Sequence, residues 1–237
     1  MVPLRVLTPV GATGLIAVDK PAGQLVIPGR EASAEPCVRQ QLEQQLGRPV
    51  WVVHRLDRET SGVLVFALDA DSHREASMAF EHDQVRKQYL ALVEGRITAP
   101  QTIDLALVPA RKGRMRPVHP GEEGKAASTR VTPLEVFGSM TWVRAEPTSG
   151  RQHQIRVHLK AIGHSLVFDH QYGRKVLFTE RELAPMHGGP AVVLNRTPLH
   201  AAQLSIPSLQ FEAQAEMPAD LQRCLELLRA SQSAVTR

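Results

Sequence analysis

The chain has 237 residues, 43% of them hydrophobic and 22% charged, a globular composition with enough apolar material for a buried core, neither fibrous nor disordered. Its 28 Lys and Arg against 24 Asp and Glu give a net charge of only +4, yet the pI is about 9.4, so where the cations cluster matters more than their sum. The two cysteines, Cys37 and Cys224, show no CxxC or Cys/His ligand spacing, which argues against a disulfide framework or a structural zinc and assigns both to helix-face packing.

At the N-terminus, Pro3, Arg5, Pro9 and Gly11 break every apolar run, so neither a secretory segment nor a membrane span is expected and a soluble, cytoplasmic protein is predicted. Apolar runs bounded by Gly and Pro predict strands at residues 15–19, 63–68, 88–93, 127–137, 140–146 and 199–206. A first helix is predicted over residues 34–47, capped by Ser33, with Pro36 in its first turn, Val38, Leu42 and Leu46 stacked, and Gly47 as its stop. A second begins at a capping box from Ser72 to Glu75 and runs to Asp83. A third spans residues 149–163, with Ile155, Leu159 and Ile162 on one face and Gly163 as the stop. The last covers residues 218–230, where Leu221, Cys224, Leu225 and Leu228 form a docking face. Neighbouring strands punctuated by isolated helices predict an α+β fold with a mainly antiparallel sheet, in a single domain spanning residues 1–237. The Gly-, Pro- and cation-rich tract at residues 108–126 reads as a long surface loop or hairpin tip.

Two stretches concentrate cations. Residues 111–130 carry Arg111, Lys112, Arg114, Arg116, Lys125 and Arg130, and residues 151–160 carry Arg151, Arg156, Lys160, His153 and His158 with no acid. Such clusters are the footprint of a polyphosphate partner, or else a solvated basic face. The nine residues HRLDRETSG at 54–62 form a loop ahead of the buried run VLVFAL, with Leu56 free to anchor in the core while Asp57 projects outward. On spacing alone Asp57 reads as a turn former paired with Arg55 or Arg58. Nucleotide-binding glycine loops, a GxSxG elbow and an HExxH metal motif are all missing, and a glycosidase would have to recruit Glu59 as its second carboxylate.

HRLDRETSG resembles the HRLDxxTSG signature of the RluA-type pseudouridine synthases. Three more pieces follow that family's order: DKPAG with VIPG at 19–29, RKQYLALVEG at 86–95, and TSGRQHQIRVHLKAIGH at 148–164. One departure stands out: the family continues GHPIxGDxxYG, whereas this chain reads GHSLVFDHQYG, with Ser165 for Pro and Phe168 for Gly. The resemblance implies a pseudouridine synthase fold without an N-terminal S4 domain. It implies isomerisation of uridine in structured ribosomal or transfer RNA by a monomer that uses no cofactor or metal. It makes Asp57 the catalytic aspartate, Tyr89 the active-site tyrosine and Arg156 the arginine that pairs with that aspartate. Arg55 would assist base flipping, and Arg114, Arg116, Arg151, His153 and Lys160 would hold phosphates. The carboxylate could attack C1′ or take the 2′ proton. The alternative is an RNA-binding or ribosome-assembly protein of the same fold whose catalysis is dispensable.

Overall fold

The computed structural model describes residues 2–8, 13–29, 36–173, 177–183 and 188–235. The chain runs through β1 (Arg5–Val6), β2 (Leu15–Lys20), α1 (Val38–Leu46), β3 (Trp51–Val52), β4 (Ser61–Ala67), α2 (Ala70–Glu81) and β5 (Arg86–Glu94). Next come β6 (Gln101–Asp104), β7 (Leu107–Pro109), β8 (Met115–Pro117), β9 (Ser128–Phe137), β10 (Met140–Pro147) and α3 (Gln154–Ala161). The C-terminal part holds β11 (Phe178–Thr179), α4 (Glu180–Leu183), β12 (Val192–Leu194), β13 (Leu199–Ile206), β14 (Phe211–Gln214) and α5 (Ala219–Val235). It divides into two compact units, one of Met1–Gln88 with His200–Glu216, the other of Tyr89–Leu199 with Met217–Arg237.

In the first unit the strands lie in the order β1-β2-β4-β13, with β3 also on β4 and β14 on β13. β2 and β4 are antiparallel from Leu15 opposite Ala67 to Lys20 opposite Gly62, and β13 runs parallel to β4 with His200 opposite Ser61. Every residue of β4 is buried, which is why its sequence is continuously apolar rather than alternating. Its core gathers Leu15, Ala17, Val63, Val65, Ile206 and Phe211 with Ala76 and Ala79 of α2.

The helix starts differ from expectation. Ser33 lies outside the described residues; α1 starts after Cys37, whose backbone N–H donates to the Gln40 side chain at 3.1 Å. Cys37 is therefore a buried cap, not a face residue, whereas Cys224 does pack on the buried face of α5. Asp69, not Ser72, caps α2: its carboxylate accepts from the Ser72 backbone N–H at 2.8 Å and hydroxyl at 3.0 Å.

In the second unit β5-β10-β9-β6 form an antiparallel sheet. Period-two alternation divides its side chains between two helices. Ala91, Val93, Val143 and Ala145 cluster with Ile155 and Leu159 of α3, while Leu92 and Trp142 cluster with Leu221, Cys224, Leu225 and Leu228 of α5. α5 is anchored by Arg196, whose Nε and Nη2 donate to Asp220 at 2.6 and 3.0 Å. The tract at 108–126 holds a hairpin, β7 on β8, turning through Arg111–Gly113. α3 begins at Gln154 rather than Ser149, because the Gln154 side chain takes the Ser149 hydroxyl at 2.7 Å and the Arg151 N–H at 3.0 Å, holding those residues outside the helix. The strands that went unpredicted, β1, β3, β6, β11, β12 and β14 among them, are too short to show a period. The α+β class and the mainly antiparallel sheet are as expected. Among the described residues no helix is long and apolar enough to cross a membrane.

Candidate active site

In the first unit, Asp57 sits half-buried on the loop between β3 and β4. Leu56 beside it is buried, as predicted, and Arg55 and Arg58 are exposed. The Thr60 N–H closes the turn on the Asp57 carbonyl at 3.1 Å. Beneath the loop lies a residue that spacing did not single out. Lys20 is fully buried, and its ammonium donates to the carbonyls of Pro21 at 2.8 Å, Arg58 at 2.9 Å and Thr60 at 2.9 Å. A buried ammonium is stable only when its donors are used, and here the Arg58 and Thr60 carbonyls that it holds lie on the Asp57 loop. Arg58 is committed to the same seam, with Nε donating to the Gly23 carbonyl at 2.7 Å while its own carbonyl takes the Gly23 N–H at 2.8 Å.

Three further residues fix the loop. His54 stacks on Phe80 with centroids 4.7 Å apart, and its Nε2 accepts the Val65 N–H at 2.9 Å. Burial, with the charge of Lys87, pushes its pKa down to about 3, so the imidazole is neutral and free to accept. Gly62 has φ +107°, and a Cβ there would lie 2.2 Å from the Ala201 carbonyl oxygen, which explains a glycine closing HRLDRETSG. Ser61 is joined to the buried His200 by a 3.0 Å hydrogen bond to Nδ1.

In the second unit, Tyr89 lies half-buried on β5 opposite Ala145 and packs against the α3-facing cluster. Arg156, on α3, is buried. Its Nε donates to Asp169 Oδ2 at 2.7 Å, its Nη2 to Asp169 Oδ1 at 2.8 Å and to Gln171 Oε1 at 3.3 Å. Burial alone would raise the pKa of Asp169, but the Arg156 hydrogen bonds and charge, with the backbone N–H groups of Gln171 and Tyr172, outweigh it and hold the carboxyl below its ordinary value. The Arg156 guanidinium carbon lies 4.9 Å from the Tyr172 ring centroid. Lys160 Nζ lies 6.0 Å from the same centroid and His153 Nδ1 shares a 2.7 Å hydrogen bond with Tyr172 Oη, so Tyr172, Arg156, His153 and Lys160 come together. Arg151 is turned toward the Ala126 carbonyl, to which its Nε donates at 3.1 Å.

Arg114 is exposed at the hairpin, but Arg116 is not a free cation: its two terminal nitrogens donate to the Glu122 carboxylate at 2.6 and 2.7 Å. His158 is no ligand either, its ring nitrogens being occupied by Thr129 at 2.9 Å and the Leu105 carbonyl at 3.0 Å. The departure at GHSLVFD is absorbed without strain. Phe168 is not among the residues of positive φ and is buried in the α5-facing cluster, so the conformational freedom of a glycine is not used there.

The model of a family described as RNA pseudouridylate synthase matches residues 14–161. A ribosomal large subunit pseudouridine synthase C from Salmonella typhi is 34% identical over 222 residues, covering 91% of this chain and 68% of that protein. A dual-specificity RNA pseudouridine synthase RluA from Vibrio vulnificus is 34% identical over 197 residues, covering 81% and 73%. Among solved structures, human RNA pseudouridylate synthase domain containing 4 aligns with a TM-score of 0.76 at 25% identity, over 95% of this chain and 93% of that one.

The chain belongs to the RNA pseudouridylate synthase family.

It is an isomerase that converts uridine in RNA to pseudouridine. For a pseudouridine synthase the geometry has a plain chemical meaning. The reaction breaks the bond from N1 to C1′, turns the uracil, forms a bond from C5 to C1′, and exchanges a proton lost at C5 for one gained at N1. A carboxylate, a flat ring and cations are residue types suited to these steps, and residues of each type are described above. Lys20, Asp169 and Tyr172 were not predicted as site residues, although Lys20 stands in the quoted DKPAG and the other two in GHSLVFDHQYG.

Proposed function

We propose that this chain isomerises uridine in structured ribosomal or transfer RNA, with Asp57 as the catalytic aspartate, Tyr89 as the tyrosine that stacks on the uracil, and Arg156 as the arginine that works with the carboxylate. The observation that carries the reading is the seating of Asp57, half-buried on a loop whose backbone is held by the wholly buried Lys20 ammonium. A reacting carboxylate must be held in place, and positioning of this kind is worth orders of magnitude in rate. Stacking of uracil on Tyr89 contributes about 1–3 kcal/mol. Arg55, exposed on the same loop as Asp57, assists extrusion of the base, which costs a few kcal/mol.

Arg114, Arg151, His153 and Lys160 hold phosphates and place the RNA without reading its sequence. Arg116 contributes less, being paired with Glu122. The reaction is redox-neutral and consumes nothing, so no cofactor is called for. Each unit is built from two separate stretches of chain, which favours one catalytic domain over two independent ones. The protein works as a cytoplasmic monomer. One relative carries the ribosomal large subunit in its name and another dual specificity for RNA, which supports ribosomal RNA as a candidate and more than one RNA as substrate.

The test is incubation of the purified protein with unmodified ribosomal and transfer RNA, followed by carbodiimide labelling and mapping of reverse-transcription stops. New pseudouridines at defined positions in either RNA are expected. Modification of neither, with both RNAs folded, contradicts the proposal.

A further inference from the structure

Tyr172 sits where groups assigned above to the RNA and to the reaction converge. Its side chain is buried in a small cluster with Leu107, Ala127 and Val157, against which Met115 packs. A buried phenol needs partners for its hydroxyl. The Met115 backbone N–H donates to Oη at 2.7 Å, and Oη and His153 Nδ1 share a hydrogen bond of 2.7 Å. Over the ring lie the Arg156 guanidinium carbon at 4.9 Å and Lys160 Nζ at 6.0 Å from the centroid. The Tyr172 backbone N–H donates to Asp169 Oδ1 at 3.0 Å, the same oxygen that accepts from Arg156 Nη2 at 2.8 Å. One carboxylate therefore sets both the guanidinium and the ring beside it.

Packing alone does not call for this arrangement, since an apolar side chain fills the volume without bringing a hydroxyl into a buried place. The hydroxyl ties β8, where Met115 directly follows Arg114, to the start of α3, where His153 holds φ +54°, a conformation uncommon outside glycine. A second link, Gln152 Nε2 to the Gly113 carbonyl at 3.4 Å, joins the same two places.

We propose that Tyr172 is a positioning residue whose ring seats the Arg156 guanidinium and whose hydroxyl fixes the basic hairpin, so that RNA grip and reaction geometry are set by one side chain. This rests on the roles proposed above for Arg156 and the hairpin cations. The two tasks belong to separable parts of the side chain, and two variants separate them.

Tyr172→Phe keeps the ring and removes the hydroxyl. Its KM for RNA is expected to rise about five- to tenfold with kcat within about twofold of wild type. Tyr172→Leu removes both, and its kcat is expected to fall by a further ten- to thirtyfold, roughly. Rescue of kcat by Phe relative to Leu assigns the effect on kcat to the ring, and a rise in KM without loss of kcat in Tyr172→Phe is the result that simple loss of packing does not give. Equal loss of kcat in both variants, or an unchanged KM for Tyr172→Phe, overturns the proposal. If Tyr172→Leu melts below the assay temperature, the hairpin link decides: Tyr172→Phe is measured in an Arg114→Ala background, where it is expected to weaken RNA binding by less than about twofold. A full additive loss overturns the proposal. Arg156→Lys distinguishes the two levels of the argument. Wild-type kcat for Arg156→Lys rejects the reading of Arg156 itself, whereas loss of kcat there with none in a folded Tyr172→Leu rejects the role of Tyr172 alone.

Discussion

The Arg156 guanidinium meets the Asp169 carboxylate as a two-pronged pair, Nε to Oδ2 at 2.7 Å and Nη2 to Oδ1 at 2.8 Å, with the Asp169 side chain wholly buried. An arginine fork so held is fixed in direction as well as in charge. Asp169→Asn removes the countercharge while the guanidinium stays buried, and breaking such a pair from one side costs about 3–5 kcal/mol. Urea unfolding should show a loss of this size at neutral pH; a loss below about 1 kcal/mol would mean that the pair is not structural.

Lys20→Met keeps much of the buried volume but leaves three carbonyls, of Pro21, Arg58 and Thr60, without their shared donor. Stability should fall by about 1–3 kcal/mol. Turnover, measured well below the new melting temperature, should fall by at least about tenfold, because the loop that presents Asp57 is no longer fixed. Turnover equal to wild type would separate this buried lysine from the working of the loop.

His54 supplies a pH dependence. Its folded-state pKa of about 3 lies below the ordinary 6.5, so between these values the unfolded chain holds a proton that the folded chain does not. Its contribution to stability is therefore complete above about pH 6.5 and is lost as pH falls toward 3, at up to about 1.4 kcal/mol per pH unit. The direct check is a ring-nitrogen NMR titration, in which His54 should show no protonation between pH 8 and 5. A midpoint near 6.5 would contradict the buried acceptor role toward Val65.

On the hairpin, Arg114 and Arg116 should behave differently. Arg116 is engaged by Glu122, whose pKa is drawn down to about 2 chiefly by the Arg116 hydrogen bonds, whereas Arg114 is exposed. Arg114→Ala should weaken RNA binding and lower the salt slope by about one phosphate contact. Arg116→Ala should leave that slope nearly unchanged. Equal slopes for the two variants would place Arg116 on the RNA despite its partner.

Much of this architecture was legible beforehand, for physical reasons that can be named. The run VLVFAL is continuously apolar because β4 is covered on both faces, and the Leu56 anchor and the Gly47 stop follow from local chemistry alone. The short strands β1 and β3 were not legible, because two residues carry no period. Lys20 escaped because lysines are read as solvated unless their partners are known, and its partners include carbonyls 38 and 40 residues away. The same holds for Arg116, whose partner Glu122 belongs to a tract read as a cationic surface. In the Asp57 loop, spacing pointed to the neighbouring arginines, yet the Arg58 guanidinium turns to Gly23.

The chemistry of Asp57 is tested most directly by tritium release from RNA labelled at uridine C5, comparing wild type, Glu59→Gln and Asp57→Asn with RNA binding measured in parallel. Wild type and Glu59→Gln should release tritium at similar rates, while Asp57→Asn binds the RNA and releases none above background. Release by Asp57→Asn at the wild-type rate would contradict the assignment of Asp57 as the reacting group.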